Sequence, residues 1–177
     1  MNPSRVCARI SSFALFCFLL SEPSVLSAKE SLTEIGVAKI DITPDYPIRL
    51  CGYAVRKKES EGNAQHLWVK ALAIGSDKEG PAILITVDNT GVPASIRNEV
   101  ARRLSKKGIK SDRIALCSSH SHTAPCLAGN LPTLFGEPIP PDHEAHIERY
   151  TRELIDALEK VALDALKARQ PGKLSWG

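Results

Sequence analysis

The amino-acid sequence predicts an α/β fold, in which a mixed sheet contains a βαβ unit and a long C-terminal helix follows. Three observations support this class. Four apolar runs have the length and residue types of strands, an amphipathic helix pattern joins the last two, and a second helix pattern occupies the end of the chain. The predicted strands are residues 36–42, 67–74, 82–87 and 113–117.

The first part of the predicted sheet contains a hairpin. Residues 36–42 alternate apolar and polar side chains, and a further short strand is predicted at residues 50–53. Residues 67–74 and 82–87 are separated by a turn-rich connection of hairpin length, so we expect them to pair antiparallel. The charged segment 56–65 is predicted to be an exposed loop.

A crossover helix is predicted between the strands at 82–87 and 113–117. Pro93 is a typical helix start and Gly108 a typical stop. The strand, helix and strand then form a right-handed βαβ unit, and the apolar character of both strands predicts coverage on both faces. The apolar side chains of the helix recur every fourth residue, at Ile96, Val100 and Leu104.

The last third of the chain is predicted to be a loop followed by a helix. Residues 126–141 combine prolines, glycines and apolar side chains; they either contact an acyl chain or similar substrate or pack over the core, and we favour packing. Asp142 is predicted to cap the helix. His143 and His146 lack the spacing of the His-Glu-x-x-His zinc motif and are explained as solvated side chains. The apolar stripe of the helix comprises Ile147, Leu154, Leu158, Val161 and Leu166.

Length and charge limit the classes of partner. The 177 residues suffice for one domain, and a net charge of +3 is too small and dispersed for a phosphate-binding face, so no nucleic-acid partner is predicted. Residues 1–28 are predicted to be an export signal, because Arg5 and Arg9 precede an apolar stretch that ends in small residues. The mature chain would then be periplasmic or secreted without a stable membrane span; retention of the segment as an anchor is the disfavoured alternative.

Three cysteines remain after removal of such a signal. Cys51, Cys117 and Cys126 are odd in number and cannot all pair within one molecule. Cys117 is predicted to pack as a small apolar residue in its strand. A disulfide between Cys51 and Cys126 is an alternative that no sequence pattern supports, and we favour free thiols.

Two of the five histidines stand one residue apart just after the strand at 113–117. In extended backbone, His120 and His122 would point to the same side, roughly 6.6 Å apart along the chain, so both imidazoles would face one pocket. Neutral imidazole is a good ligand for zinc, and a neighbouring histidine can transfer protons near neutral pH. The pair is therefore a candidate metal site, although spacing alone favours a partly exposed strand end.

Asp88 ends the strand that precedes the crossover helix. Open α/β sheets bind ligands outside the carboxyl ends of their parallel strands, so the topology places this carboxylate near His120 and His122. Asp88 could orient an imidazole there. A turn or cap carboxylate beside residues 89–91 is an equal alternative.

Four short motifs occur in the order found in a known enzyme family. They are Asp41-Ile42-Thr43-Pro44, Gly52-Tyr53-Ala54, Thr86-Val87-Asp88 and Ser119-His120-Ser121-His122-Thr123-Ala124-Pro125. With them, the chain resembles the N-terminal part of the neutral/alkaline, non-lysosomal ceramidases from about Gly36 to its end. The last motif is similar to the Thr-His-Thr-His-Ser-Gly-Pro signature of that family and is the most specific.

The resemblance implies a zinc-dependent amidohydrolase that cleaves the N-acyl bond of ceramide or a related lipid amide. It implies that His120 is a ligand of one zinc ion and that His122 lies beside the metal, and we expect Asp88 to support the pair. Bound zinc would lower the pKa of a water molecule to about 7 and polarise the amide carbonyl.

The resemblance also implies that other zinc ligands come from sequence beyond the point matching Gly177. We therefore expect residues 29–177 to be a partial catalytic domain with an incomplete ligand set, truncated and inactive alone. A non-catalytic binding or structural module is the alternative. Pro125-Cys126-Leu127 stands where the family has Pro-Gly-Gly, so a hydrolase with a different substrate is a third hypothesis.

Overall fold

The computed structural model describes residues 32–175, and their fold is α/β as predicted. The predicted export signal lies outside the described residues. The strands are β1 (Thr33–Asp41), β2 (Trp68–Ile74), β3 (Ala82–Val87), β4 (Ile114–Ser118) and β5 (Gln170–Gly172). The helices are α1 (Ala94–Ser105) and α2 (Pro141–Lys167), with a 3-10 turn at Ser111–Arg113.

The strands form one mixed sheet in the order β4-β3-β2-β1-β5. β2 pairs antiparallel with both β1 and β3, and β5 pairs antiparallel with β1 at the edge. β3 and β4 are parallel, with Ile85 opposite Leu116, because α1 carries the chain back to the starting end of the sheet. The predicted hairpin and βαβ unit are both confirmed.

One face of the sheet is buried against the helices. Strand side chains alternate between the two faces, so every second residue of β2 and β3 enters the core. The long helix α2 lies across β1 and β2, and it also contacts α1. No helix within residues 32–175 combines the length and apolarity needed to cross a membrane. The core includes Val69, Ala71, Ala73, Ile83, Ile85, Val87, Val100, Leu104, Leu154, Leu158 and Val161.

The opposite face of the sheet is open in the described part of the chain. Val37 is 68% exposed and Leu84 is 39% exposed on this face. Cys117 is also exposed, so the prediction that it packs as an apolar residue was wrong. The same two-residue alternation that buries Ile83 and Ile85 turns Leu84 outward, and the predicted coverage of β3 and β4 on both faces is not observed.

The helix boundaries follow the local sequence with one exception. Pro93 is the N-cap of α1, and Gly108, with φ +86°, donates its N–H to the carbonyl of Ser105 after the helix ends. Asp142 does not cap α2, because the N-cap is Pro140 and Pro141 occupies the first turn. Proline has no N–H that needs a cap. The Asp142 carboxylate lies in the first turn, where its negative charge interacts favourably with the positive end of the helix dipole.

The predicted short strand at residues 50–53 is not a strand. The chain makes two isolated antiparallel bridges there, Arg49 with Glu59 and Leu50 with Pro125. No ladder continues from them because the chain turns at Gly52, where φ is +111°. The second bridge ties this turn to the segment that follows the two histidines.

Candidate active site

The imidazoles of His120 and His122 meet beyond the carboxyl end of β4. Their Nε2 atoms are 3.1 Å apart, and the ring planes lie at 75° to each other. The backbone is not extended as expected: β4 ends at Ser118, and His120 has φ 61°. A left-handed conformation is unusual for a residue with a Cβ and is typical of functional sites. The rings therefore converge through a turn and not through the spacing of a strand.

The ring of His120 is oriented by Thr90, a residue that follows β3. Nδ1 of His120 lies 2.7 Å from the Thr90 carbonyl oxygen. A carbonyl can only accept a hydrogen bond, so Nδ1 carries the hydrogen and a neutral ring presents its lone pair at Nε2. The hydroxyl of Thr90 donates to the carbonyl of Ser121 at 2.8 Å and so holds the backbone between the two histidines. Metal-binding histidines commonly donate their other ring N–H to a carbonyl in this way, which fixes the orientation of the ring.

The ring of His122 is held by the turn at Gly52. A Cβ on Gly52 would lie 2.6 Å from Cγ of His122, so only glycine leaves room for the imidazole. Tyr53 contacts the ring edge-on with centroids 5.0 Å apart. Arg56 lies over Tyr53 and donates a hydrogen bond to the carbonyl of His122. Nδ1 of His122 is buried without a hydrogen-bond partner.

Asp88 lies at the end of β3 as predicted, but its hydrogen bonds go to the start of β2. Its carboxylate accepts the N–H of Trp68 at 3.0 Å, and its own N–H donates to the Trp68 carbonyl at 3.0 Å. The neighbouring Asn89 is fully buried and donates its amide to the carbonyl of Pro125 at 3.0 Å. The group that orients His120 is therefore the Thr90 carbonyl. Sequence reasoning missed Asn89 and Thr90 because buried polar side chains after a strand resemble an ordinary turn.

The two Nε2 atoms are suited to face one metal ion. Imidazole ligands about 2.0–2.1 Å from a tetrahedral zinc stand about 3.3 Å apart, close to the observed 3.1 Å between His120 and His122. Within residues 32–175, no cluster of three or more His, Cys, Asp or Glu side chains is arranged to hold a metal. The described residues thus fit one ligand of a zinc site, His120 with its fixed tautomer, and a second imidazole beside it.

Two of the other three histidines are engaged elsewhere. His66 lies 2.5 Å from a carboxylate oxygen of Asp41, whose pKa is lowered chiefly by hydrogen bonds from Thr43. His146 lies 2.8 Å from a carboxylate oxygen of Glu59. These contacts explain both side chains without a ligand.

The proline-rich loop at 126–141 packs over the core and also walls a cavity. Leu127 is 2% exposed and Phe135 is 7% exposed, which confirms the favoured packing explanation. Beside them lies a cavity of about 350 Å³ that is lined by the loop and by the first turns of α2. Apolar side chains and the carboxylates of Glu137, Glu144 and Glu148 share its wall.

Comparison with known proteins identifies the family. The sequence model of the neutral/alkaline non-lysosomal ceramidases, N-terminal part, matches residues 33–177. The chain belongs to this family. The family match includes all four motifs that carry the resemblance, and His120 and His122 lie in the last of them. No curated protein sequence matches the chain.

Solved structures show that the fold is shared with ceramidases. The neutral ceramidase from Pseudomonas aeruginosa is 20% identical with a TM-score of 0.64, over 81% of this chain and 23% of that one. A ceramidase complexed with C2 is also 20% identical, with a TM-score of 0.65, over 81% of this chain and 22% of that one. This ceramidase-family chain thus spans under a quarter of the length of these structures.

Proposed function

We propose that this chain forms part of the active site of a zinc-dependent amidohydrolase that cleaves the N-acyl bond of ceramide or a related lipid amide. The observation that carries the proposal is the convergence of His120 and His122, with 3.1 Å between their Nε2 atoms. Membership of the ceramidase family supports the reaction and the substrate class. The chemistry of the pair supports zinc as the metal.

His120 is the assigned metal ligand. Its Nδ1 hydrogen is committed to the Thr90 carbonyl at 2.7 Å, which fixes the ring and leaves the Nε2 lone pair for the metal. Zinc in this position would supply a bound water of lowered pKa and polarise the amide carbonyl. The remaining ligands have to be supplied from outside the described residues, since residues 32–175 offer no three-ligand cluster.

His122 is the assigned proton carrier. Its Nδ1 has no hydrogen-bond partner and its Nε2 faces the lone pair of His120 Nε2, so in this arrangement Nε2 of His122 carries the hydrogen. Its Nε2 points at the atom that would bind the metal, where a proton from water or for the leaving amine has to move. Asp88 supports the histidines indirectly. Its two hydrogen bonds with Trp68 hold the end of β3, and Thr90, which orients His120, follows that strand.

The substrate class is consistent with the cavity under the loop at 126–141. Leu127, Leu131 and Phe135 contribute to its wall, and burial of an acyl chain against such side chains contributes roughly 25 cal/mol per Å² of apolar surface. Export through the signal predicted at residues 1–28 would place the enzyme outside the cytoplasm.

The test is a measurement of zinc content and amide hydrolysis by the purified chain. We expect the wild type to bind zinc, His120→Ala to lose it, and His66→Ala to retain it, because His66 contacts Asp41 and not the pair. Release of fatty acid from N-acyl-sphingosine reports the activity. Zinc binding that His120→Ala leaves unchanged would overturn the ligand assignment.

The second candidate function is a non-catalytic binding or structural module. The absence of a three-ligand cluster from residues 32–175 favours it. Sustained turnover of ceramide by the purified chain would exclude this alternative. The third hypothesis is a hydrolase with another substrate, and it rests on Pro125-Cys126-Leu127, which stands where the family has Pro-Gly-Gly. Efficient ceramide cleavage would also exclude this hypothesis.

A further inference from the structure

Two buried cysteines lie together behind the turn that holds His122. Cys51 is fully buried and Cys126 is 4% exposed. The N–H of Cys51 donates to the Ala124 carbonyl at 3.0 Å, and the N–H of Cys126 donates to the Arg49 carbonyl at 2.8 Å. In this antiparallel register both side chains project to the same side, and their thiols make a hydrogen-bond contact.

The surroundings of the pair favour thiol chemistry. The S–H of Cys126 donates to Cys51, and this hydrogen bond lowers the pKa of the Cys51 thiol. The same bond, together with burial, raises the pKa of Cys126. The guanidinium of Arg49 is 1% exposed and leaves Nε and Nη1 without partners, so a buried positive charge lies near the Cys126 sulfur. Of the two thiols, Cys51 therefore loses its proton more readily.

The pair borders a cavity on one side. Cys51 and Cys126 both line the cavity of about 350 Å³ beneath the loop at 126–141. The carboxylates of Glu137, Glu144 and Glu148 lie in its wall and would attract a small cation. The exposed Cys117 lies instead on β4.

We propose that Cys51 and Cys126 form an oxidisable dithiol that closes to a disulfide and joins the Gly52 turn to the segment after the histidine motif. The Cys51 thiolate attacks one sulfur of a small disulfide, and the S–S bond of the reagent breaks to release a first thiolate. The Cys126 thiol then loses its proton and attacks the Cys51 sulfur, which expels the second thiolate. The two protons of the dithiol end on the two reagent thiols, so the reagent is reduced and the protein is oxidised.

The disulfide would constrain the backbone that contacts His122. Cys51 directly precedes Gly52, whose backbone contacts the His122 ring, and Cys126 lies four residues after that histidine. Free thiols were favoured from the sequence, and the structure contains all three described cysteines in this reduced form. Oxidation of this pair would occur whether or not the chain takes part in amide hydrolysis.

The test is oxidation of the full chain with cystamine, a dicationic disulfide, followed by peptide mapping without reduction. We expect a Cys51–Cys126 linked peptide that is lighter by two hydrogens and, when the protein is unfolded before labelling, roughly tenfold or greater loss of maleimide labelling at both residues. Cys117→Ser should leave this result unchanged. Persistent labelling of Cys51 and Cys126, or linkage of either residue to another cysteine, would overturn the proposal.

A thermal measurement provides a second check. The linked form should melt roughly 10 °C above the same protein after reduction, because the bond restricts the unfolded chain. Cys126→Ser should abolish the difference between oxidised and reduced samples. Equal melting temperatures for the two wild-type samples would contradict the formation of a Cys51–Cys126 disulfide.

Discussion

The backbone of Gly52 lies directly beneath the imidazole of His122. A Cβ at this position would come 2.6 Å from Cγ and 2.7 Å from Nδ1 of the ring. Gly52 also has φ +111°, a conformation that residues with side chains rarely adopt. The glycine of the Gly52-Tyr53-Ala54 motif is therefore part of the site, since it sets the position of the second histidine.

Gly52→Ala is expected to displace His122 and to destabilise the fold. The backbone conformation and the overlap with the ring together should cost about 2–4 kcal/mol in the free energy of unfolding, measured by urea titration. Zinc affinity, measured by competition with a chelator, should fall as well.

Gly62→Ala is the matched control for this substitution. No atom lies within 4 Å of a Cβ at Gly62, and its φ lies outside the left-handed region. We expect a change within about 0.5 kcal/mol. Equal effects of Gly52→Ala and Gly62→Ala would show that the close contact with His122 is unimportant.

Thr90→Val is expected to loosen the histidine pair. Its hydroxyl donates to the Ser121 carbonyl at 2.8 Å, and valine would leave that acceptor without its donor. We expect a loss of about 1–3 kcal/mol in unfolding free energy and roughly tenfold weaker zinc binding. Thr90→Ser keeps the hydroxyl and should restore most of both quantities. If serine and valine behave alike, the hydrogen bond is not the cause.

Gly36→Ala tests the closest approach of β1 to the end of α2. A Cβ on Gly36 would lie 2.0 Å from the Ala165 carbonyl oxygen and 2.7 Å from the Arg169 nitrogen. Backbone atoms cannot yield as a side chain can, so we expect destabilisation of about 2–4 kcal/mol by urea titration. Gly172→Ala, on β5 of the same sheet, is the control because its nearest neighbour lies at 3.5 Å. A neutral Gly36→Ala would disprove the close packing.

Glu99 is expected to make stability depend on acid pH. Hydrogen bonds from Arg102, and then Arg103, lower the pKa of this carboxyl to about 2. Because the folded pKa lies below the unfolded value of 4.5, the stabilisation is complete above pH 4.5 and is lost as the pH falls toward 2. Arg103 also binds Asp156 and Glu159 of α2, so the carboxylate supports the contact between the helices.

Glu99→Gln should remove this part of the acid dependence in melting curves recorded between pH 5 and pH 2. Glu61→Gln, in an exposed loop, is the control. High salt should reduce the difference between wild type and Glu99→Gln, since exposed ion pairs are screened. An unchanged pH profile in Glu99→Gln would assign the acid dependence to other groups.

Sequence reasoning located the sheet and its order of connection because these depend on local patterns. Apolar runs marked β1 to β4, and Pro93 and Gly108 bounded α1 as predicted. Sequence reasoning failed where distant segments decide the outcome. Neither the open second sheet face nor the bridge between Leu50 and Pro125 has a local signal.

The sequence by itself determined the family, the α/β fold and the candidate pair His120 and His122, because short motifs and residue periodicity are encoded locally. Only the tertiary structure decided how the pair is built. Thr90 comes from the end of β3 and Gly52 from a turn before β2, and both reach the histidines through backbone atoms. Backbone carbonyls and a missing Cβ carry no side-chain signature, so their roles emerge only when the folded chain brings them together.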